Sequence, residues 1–134
     1  MNKQLAILIS DYQASVGAAV EMMQRSGIPR PPTNTDWVGT DIPQHGELEG
    51  GVRYFKHGYG CAVSLPTGTV DFDFGAHGEI SGFDAWRLAS FASDKLSDYG
   101  FVDEDAIKEC FKAEVAAGSL VYSGYILYYL ADAT

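Results

Sequence analysis

Residues 59–92, YGCAVSLPTGTVDFDFGAHGEISGFDAWRLASFA, combine two strand patterns, a turn, a glycine-rich corner and the start of a helix. At the centre of this stretch, residues 70–75 read VDFDFG and alternate apolar with acidic side chains. Successive side chains of a strand point to opposite faces of a sheet. The pattern therefore places Val70, Phe72 and Phe74 on the face of a sheet that packs on the core. It places Asp71 and Asp73 together on the other face.

Short turns on both sides indicate that this strand belongs to an antiparallel meander over residues 52–81. Residues 52–57 and 61–65 alternate with period two, and a Pro66-Thr67-Gly68 turn follows the second of these segments. Neighbouring strands that are joined by tight turns run antiparallel. Residues 79–81 are expected to add a short fourth strand.

The helix after the glycine-rich corner has a clear N-terminal signal. Asp84 stands where an N-cap carboxylate would accept hydrogen bonds from the N–H groups of the first turn. Phe83 and Leu88 are spaced to form a hydrophobic staple around that cap. We expect this helix to cover residues 84–99 and to end at Gly100.

Two further segments have helical periodicity. Residues 3–25 carry apolar side chains at spacings of three and four, and a glycine followed by prolines ends the pattern. Asp103 is placed as the N-cap of another helix over residues 103–117. The expected apolar face of that helix consists of Ile107, Cys110, Phe111 and Val115.

The remaining segments are less regular. Residues 28–50 are rich in proline and predict a long irregular connection, with a turn around His45. Residues 120–130 are apolar on both faces, and their aromatic content favours a buried strand that joins the sheet. The fold class is therefore α+β, with a single domain over residues 1–134. In it an antiparallel sheet of about four to five strands packs against three helices.

The formal net charge of −9 limits the classes of partner. Nucleic acids and anionic membrane surfaces bind clustered lysine and arginine, so neither is an expected partner. A basic protein partner is compatible with this charge. The charge is also compatible with an acidic surface whose role is solubility alone. No segment approaches the roughly 20 apolar residues of a membrane span, and residues 5–9 are too short for a signal peptide. We expect a cytoplasmic protein.

Asp71 and Asp73 are the strongest candidates for a functional site. Two carboxylates on one strand face, joined by His57 or His77, could bind a hard cation or act as acid and base in a hydrolase. The same pattern also describes an acidic face that binds a partner, a solvated strand of no function, or a structural network with Arg87. No catalytic motif of known spacing is present in the sequence, and we expect neither a cofactor nor a metal site.

Trp86 lies beside the apolar stripe of the helix that Asp84 caps. Core packing is the favoured interpretation of this side chain, and exposure in a cleft is the other. Trp37 lies in the long irregular connection and is expected to pack onto the domain in part. Cys61 and Cys110 lack the spacing of a zinc site and are expected to be buried thiols.

Three segments carry a family resemblance: HGYGC at residues 57–61, VDFDFG at 70–75 and GFDAWRL at 82–88. The segment IPQHGEL at residues 42–48 fits with them. Together they resemble the core of a bacterial family of small domains of unknown function, and this resemblance implies no catalytic residues. The size, acidity and mixed composition also resemble immunity proteins of bacterial toxin systems, which is an analogy of general type.

These observations favour a protein-binding module, and its specific form under this hypothesis is an immunity protein that neutralises a basic toxin by occlusion. The expected contact surface consists of Asp71, Asp73, Glu79, Trp37 and Trp86. The alternative is a small hydrolase or metal-dependent enzyme that uses the Asp71 and Asp73 face with His57 or His77. A third hypothesis is a homo-oligomer formed through residues 125–130.

Overall fold

The computed structural model describes residues 1–28, 43–57, 60–73, 82–124 and 126–131. The predictions for Trp37, Phe74, His77 and Glu79, and for a fourth strand at residues 79–81, lie outside these residues. The helices and strands, in chain order, are α1 (Lys3–Arg25), β1 (His45–Glu47), β2 (Arg53–His57), β3 (Gly60–Leu65), β4 (Gly68–Asp73), α2 (Ala85–Phe91), α3 (Glu104–Ala117), β5 (Leu120–Tyr122) and β6 (Tyr128–Leu130).

The fold class is α+β, as predicted. Strands β1 to β4 form a four-stranded antiparallel sheet in sequence order, and β5 pairs with β6 in a separate two-stranded sheet. Backbone contacts divide the chain into two compact units. We call residues 13–80 the sheet unit, and residues 1–12 together with 81–134 the helical unit.

Helix α1 has the predicted bounds and the predicted buried stripe. It ends where Gly27 adopts a left-handed conformation with φ of 79°, which favours glycine. The first half of α1 belongs to the helical unit and the second half to the sheet unit. The side chains of the stripe that are buried are Leu5, Leu8, Tyr12, Val16, Ala19 and Met23.

The four-stranded sheet has one buried face, and that face follows the period-two pattern of the sequence. The register sets Tyr54, Val63 and Val70 in one row across β2, β3 and β4. Lys56, Cys61 and Phe72 form the next row, and all six side chains are buried. The predicted core-facing role of Val70 and Phe72 is therefore confirmed.

Strand β1 corrects the prediction that residues 45–47 belong to an irregular connection with a turn around His45. These residues pair with β2, with His45 opposite Phe55 and Glu47 opposite Arg53. Gly46 fits there because a Cβ at this position would lie 2.8 Å from the ring of Tyr54. A three-residue strand of this composition has little intrinsic preference for strand, and pairing with β2 decides its structure.

Helix α2 starts as predicted, but it is shorter than residues 84–99. The backbone N–H of Arg87 donates to Asp84 Oδ1 at 2.7 Å, which confirms the N-cap. The helix ends at Phe91, and a turn leads to a 3₁₀ helix at Leu96–Tyr99. Serine and aspartate at positions 93 and 94 compete with helical hydrogen bonding, which explains the early end.

Gly100 closes the 3₁₀ helix in a left-handed conformation with φ of 87°. A side chain at this position would also overlap the carboxamide of Gln4, which belongs to the same unit. The neighbouring Tyr99 hydroxyl donates to Asp11 Oδ2 at 2.7 Å. Burial, followed by this contact with Asp11, raises the pKa of Tyr99 to about 12.

Helix α3 confirms the second predicted cap. The backbone N–H of Ala106 donates to Asp103 Oδ1 at 2.9 Å, and Gly118 ends the helix with φ of 83°. Ile107 and Phe111 are buried, as expected for its apolar face. Val115 is 38% exposed, so the predicted face extends one turn too far.

The C-terminal segment corrects the prediction of one buried strand over residues 120–130 that joins the main sheet. It forms two strands that pair with each other, with Leu120 opposite Leu130 and Tyr122 opposite Tyr128. The chain reverses between them, where Gly124 and Ile126 both have positive φ. The isolated pairing of Phe83 with Tyr128 connects this hairpin to the residue before the α2 cap.

Candidate functional site

The outer face of the four-stranded sheet contains a histidine and an aspartate in direct contact. His57 Nε2 and Asp71 Oδ1 are 2.8 Å apart, and both side chains are partly exposed. The two residues belong to β2 and β4, which both pair with β3 and not with each other. The imidazole therefore crosses the middle strand to reach the carboxylate.

Small side chains on β3 make this contact possible. Gly60 lies opposite His57 in the register, and Ala62 lies opposite Asp71. Strands two positions apart are separated by about 9.5 Å, so a bulky side chain on β3 would block the path between them. A glycine and an alanine leave the path open. The sequence thus predicts the outward direction of Asp71 correctly and offers His57 or His77 as its histidine. The three-strand register brings His57 to it.

Phe55 lies beside this pair on the same face and is 40% exposed. Its ring is 5.4 Å from that of His45 in an edge contact, and 6.4 Å from that of His57 in a stacked one. His45, Phe55, Ala62 and Ser64 line an open cavity of about 520 Å³, together with Glu47 and Arg53. Within the described residues, Arg53 forms no ion pair with its cross-strand neighbour Glu47 or with any other carboxylate.

Asp84 and Arg87 form a structural pair in the helical unit. Arg87 Nη1 donates to Asp84 Oδ2 at 3.0 Å, while the other oxygen of Asp84 caps α2. The side chain of Arg87 is only 8% exposed. Arg87 therefore binds the carboxylate that caps its own helix.

Trp86 lies on the exposed side of α2, and the interpretation that it packs in the core is wrong. The side chain is 53% exposed. It lines a groove of about 430 Å³ between α2, α3 and the C-terminal hairpin. The other walls are Phe111 of α3, and Tyr122, Ile126 and Tyr128 of the hairpin. We call this the Trp86 groove.

The aromatic rings of the Trp86 groove support one another. The Phe111 ring is 4.7 Å from that of Tyr128, and the Tyr128 ring is 4.8 Å from that of Tyr122. Phe111 is buried, whereas Tyr122 and Ile126 are about half exposed. No pattern in the sequence indicates Tyr122 as a site residue, and Ile126 enters only through the hypothesis of a homo-oligomer formed by residues 125–130. The exposure of both side chains follows from the hairpin that replaces the single buried strand.

Charged side chains surround the Trp86 groove in ion pairs. Lys108 Nζ lies 3.0 Å from Glu104 Oε2 and 3.9 Å from Asp105 Oδ1. Lys112 Nζ lies 3.0 Å from Glu109 Oε1. Hydrogen bonding and charge attraction from Glu104 raise the pKa of Lys108. The rim of the groove thus consists of carboxylates and lysines that are already paired.

The two cysteines are both free thiols, and neither is placed as a nucleophile. Cys61 is buried within the sheet unit, and burial raises its pKa to about 12. Burial also raises the pKa of Cys110, which is partly exposed. Thiolates are the reactive form of cysteine, so the raised pKa of each thiol lowers its reactivity near neutral pH.

The residues predicted for one contact surface are distributed over both units and over positions outside the described residues. Asp71 belongs to the sheet unit and Trp86 to the helical unit, while Trp37 and Glu79 lie outside the described residues. The backbone of Asp73 pairs with Gly60 at the end of β4. Across the described ranges, no group of three or more His, Cys, Asp or Glu side chains could hold a metal ion.

Among the helices that the structure describes, none is long and apolar enough to cross a membrane. No curated protein and no solved structure matches the chain significantly. The model of the family described as "Domain of unknown function (DUF6896)" matches residues 5–130, a range that contains all the segments on which the family resemblance was based. The chain therefore belongs to the DUF6896 family of domains of unknown function.

Proposed function

We propose that this protein is a protein-binding module whose partner is a basic protein, bound at the Trp86 groove. The observation that carries this proposal is the exposure of Trp86 beside a groove lined by aromatic rings. Tryptophan and tyrosine are enriched at the centres of protein interfaces, where a few such side chains contribute most of the binding energy. Exposure of a large aromatic side chain to water has a cost in free energy, and burial of that side chain against a partner removes the cost.

The charge of the surface supports a basic partner. Helix α3 and its cap carry five carboxylates and two lysines, and the whole chain has a net charge of −9. A surface of this sign accelerates association with a positively charged protein and disfavours other acidic ones. An immunity protein that blocks a basic toxin by steric occlusion would need these two properties, an acidic surface and an aromatic anchor.

The experiment titrates the purified protein against the purified product of the neighbouring reading frame by calorimetry. We expect Trp86→Ala to weaken the complex by at least about thirtyfold, which corresponds to about 2 kcal/mol for an aromatic anchor. Val102→Ala is the matched control, because Val102 is an apolar side chain that is 87% exposed in the same unit but does not line the groove. The control should bind like the unmodified protein.

Two outcomes of this titration would contradict the proposal. The first is the absence of binding heat between the two proteins. The second is equal affinity for Trp86→Ala and Val102→Ala. The same titration tests the acidic face of the sheet, since a loss of less than tenfold on Asp71→Ala would remove Asp71 from the interface.

A second candidate function is hydrolysis with acid–base catalysis on the sheet. The observation that favours it is the contact of 2.8 Å between His57 and Asp71, because a carboxylate that orients an imidazole is a recurring arrangement for a general base. The test is hydrolysis of p-nitrophenyl acetate and p-nitrophenyl phosphate, in which a catalytic pair would lose at least about a hundredfold in rate on His57→Ala. Equal rates for the variant and the unmodified protein would dismiss this function.

A further inference from the structure

We propose that the Trp86 groove binds the guanidinium group of an arginine side chain presented by the basic partner. This inference rests on the proposed function, and it names the chemical group that the groove recognises. The rings, the charge balance and the alternative ion pair of Lys108 each support it.

The exposed rings offer a surface on which a planar cation can stack. Trp86 is 53% exposed and Tyr122 is 48% exposed, and both line the groove. The electron-rich face of an aromatic ring attracts a cation, most strongly in tryptophan, and guanidinium stacks on such a face more often than ammonium does. The contacts of Tyr128 with Phe111 and Tyr122 hold the opposite wall in place.

The charges that the described residues place around the groove leave one carboxylate in excess. Within this part of the chain, the charged lining residues and their ion-pair partners comprise four carboxylates and three cations. The carboxylates are Asp84, Glu104, Asp105 and Glu109, and the cations are Arg87, Lys108 and Lys112. One additional cation therefore neutralises the set, whereas an acidic ligand would double the excess charge.

Glu104 is the carboxylate that can accept the incoming group. Its present partner, Lys108, lies 3.0 Å away, but the same Nζ is already within 3.9 Å of Asp105. Lys108 can therefore transfer its ion pair to Asp105 without leaving a carboxylate alone. Glu104 would then accept two parallel hydrogen bonds from a guanidinium, a geometry that ammonium cannot reproduce.

The experiment measures the fluorescence of Trp86 in the Trp37→Phe variant of the 134-residue chain, in which Trp86 is the single tryptophan. The probes are two nine-residue peptides of equal charge, in which glycine and serine separate either three arginines or three lysines. We expect the arginine peptide to bind about fivefold more tightly than the lysine peptide at low salt. The same titration with Glu104→Gln should reduce this preference to less than about twofold.

Glu21→Gln is the matched control, because it removes one carboxylate that is 75% exposed on α1 and does not line the groove. General charge attraction predicts equal weakening by both glutamine variants, whereas the proposed site predicts a larger loss for Glu104→Gln. Tyr122→Leu provides a second variant, which keeps an apolar side chain and should remove the preference for arginine. Circular dichroism verifies that each variant is folded.

Equal affinity for the two peptides, or equal weakening by Glu104→Gln and Glu21→Gln, would overturn the inference. So would competition by a glycine–serine peptide that carries leucine in place of arginine, since this would show an apolar anchor. If Trp86→Ala weakens the partner complex while the peptides bind alike, only the arginine inference fails. If the peptides discriminate but Trp86→Ala leaves the partner complex unchanged, the proposed function fails and the guanidinium site remains.

Discussion

Replacement of Asp84 by alanine removes two contacts of one carboxylate. Oδ1 accepts the backbone N–H of Arg87 at 2.7 Å, and Oδ2 accepts its guanidinium at 3.0 Å. Loss of an N-cap costs about 1 kcal/mol in the free energy of unfolding. Loss of one partner of a fully buried ion pair costs about 3–5 kcal/mol. Because Asp84 is one-fifth exposed and Arg87 has further contacts, we expect about 2 kcal/mol for this second part.

The expected total for Asp84→Ala is therefore about 3 kcal/mol, which lowers the melting temperature by about 10 °C for a chain of this size. Asp84→Asn separates the two parts, because asparagine is an equally good N-cap but carries no charge. We expect Asp84→Asn to lose about 2 kcal/mol. The measurement is thermal and urea unfolding followed by circular dichroism, with Asp94→Ala as the control for an exposed aspartate of the same unit.

Three results would refute this reasoning. Unfolding of Asp84→Asn at the temperature of the unmodified protein would show that the ion pair contributes no stability. Equal unfolding of the alanine and asparagine variants would show that the cap contributes none. A loss in Asp94→Ala as large as that in Asp84→Ala would show that the effect does not depend on the contacts of Asp84 at all.

Three further predictions concern individual side chains. In the native protein, 5,5′-dithiobis(2-nitrobenzoate) should modify Cys110 slowly and leave Cys61 unmodified. The reason is that burial raises the pKa of both thiols, and raises that of Cys61 to about 12. Modification of both thiols at one rate would contradict this prediction. Burial and the contact with Asp11 raise the pKa of Tyr99 to about 12, so the folded state holds this proton more tightly than the unfolded state. Stability should therefore fall between about pH 10 and pH 12, a fall that Tyr99→Phe reduces in urea titrations; an identical fall in the variant would exclude Tyr99 as its cause. Gly100→Ala should cost about 1–2 kcal/mol in thermal unfolding, because a side chain is strained at a φ of 87°, and an unchanged melting temperature would contradict this.

Local signals in the sequence predicted most of the elements. The spacing of apolar residues and the glycine at position 27 gave the bounds of α1, and the two aspartate caps gave the starts of α2 and α3. Each of these signals acts through neighbours within one or two turns of helix, so the sequence contains the information needed. The period-two alternation of side chains that predicted β2, β3 and β4 is an equally local signal.

The errors occur where a distant segment decides the structure. Residues 45–47 form a strand because β2 supplies its hydrogen bonds, and the C-terminal segment forms a hairpin because positive φ at Gly124 and Ile126 reverses it. Val115 is exposed although it follows the helical period, since its exposure depends on whether another element covers it. A periodic pattern indicates which side chains share a face but not whether a neighbour is present.

The candidate sites show the same difference between features that local sequence signals predict and features that distant segments decide. The outward direction of Asp71 followed from period two, and the exposure of Trp86 did not follow from any pattern. The sequence offered His57 as one histidine for Asp71, and the contact itself depends on the register, which sets residue 57 opposite 60 and residue 65 opposite 68. Predicting the contact requires both registers to be assigned correctly, since a one-residue slip turns every side chain of a strand to the other face.

The path of the His57 side chain across β3 also has an evolutionary consequence. The imidazole of His57 passes Gly60 and Ala62 to reach Asp71. A mutation at any one of these four positions therefore changes how much the other three residues contribute to the contact. We expect these positions to covary among family members: histidine at 57 and aspartate at 71 should occur with small residues at 60 and 62. Lineages that lost the histidine would be free to accept larger, β-branched residues on the middle strand, and their substitution rates there should rise accordingly.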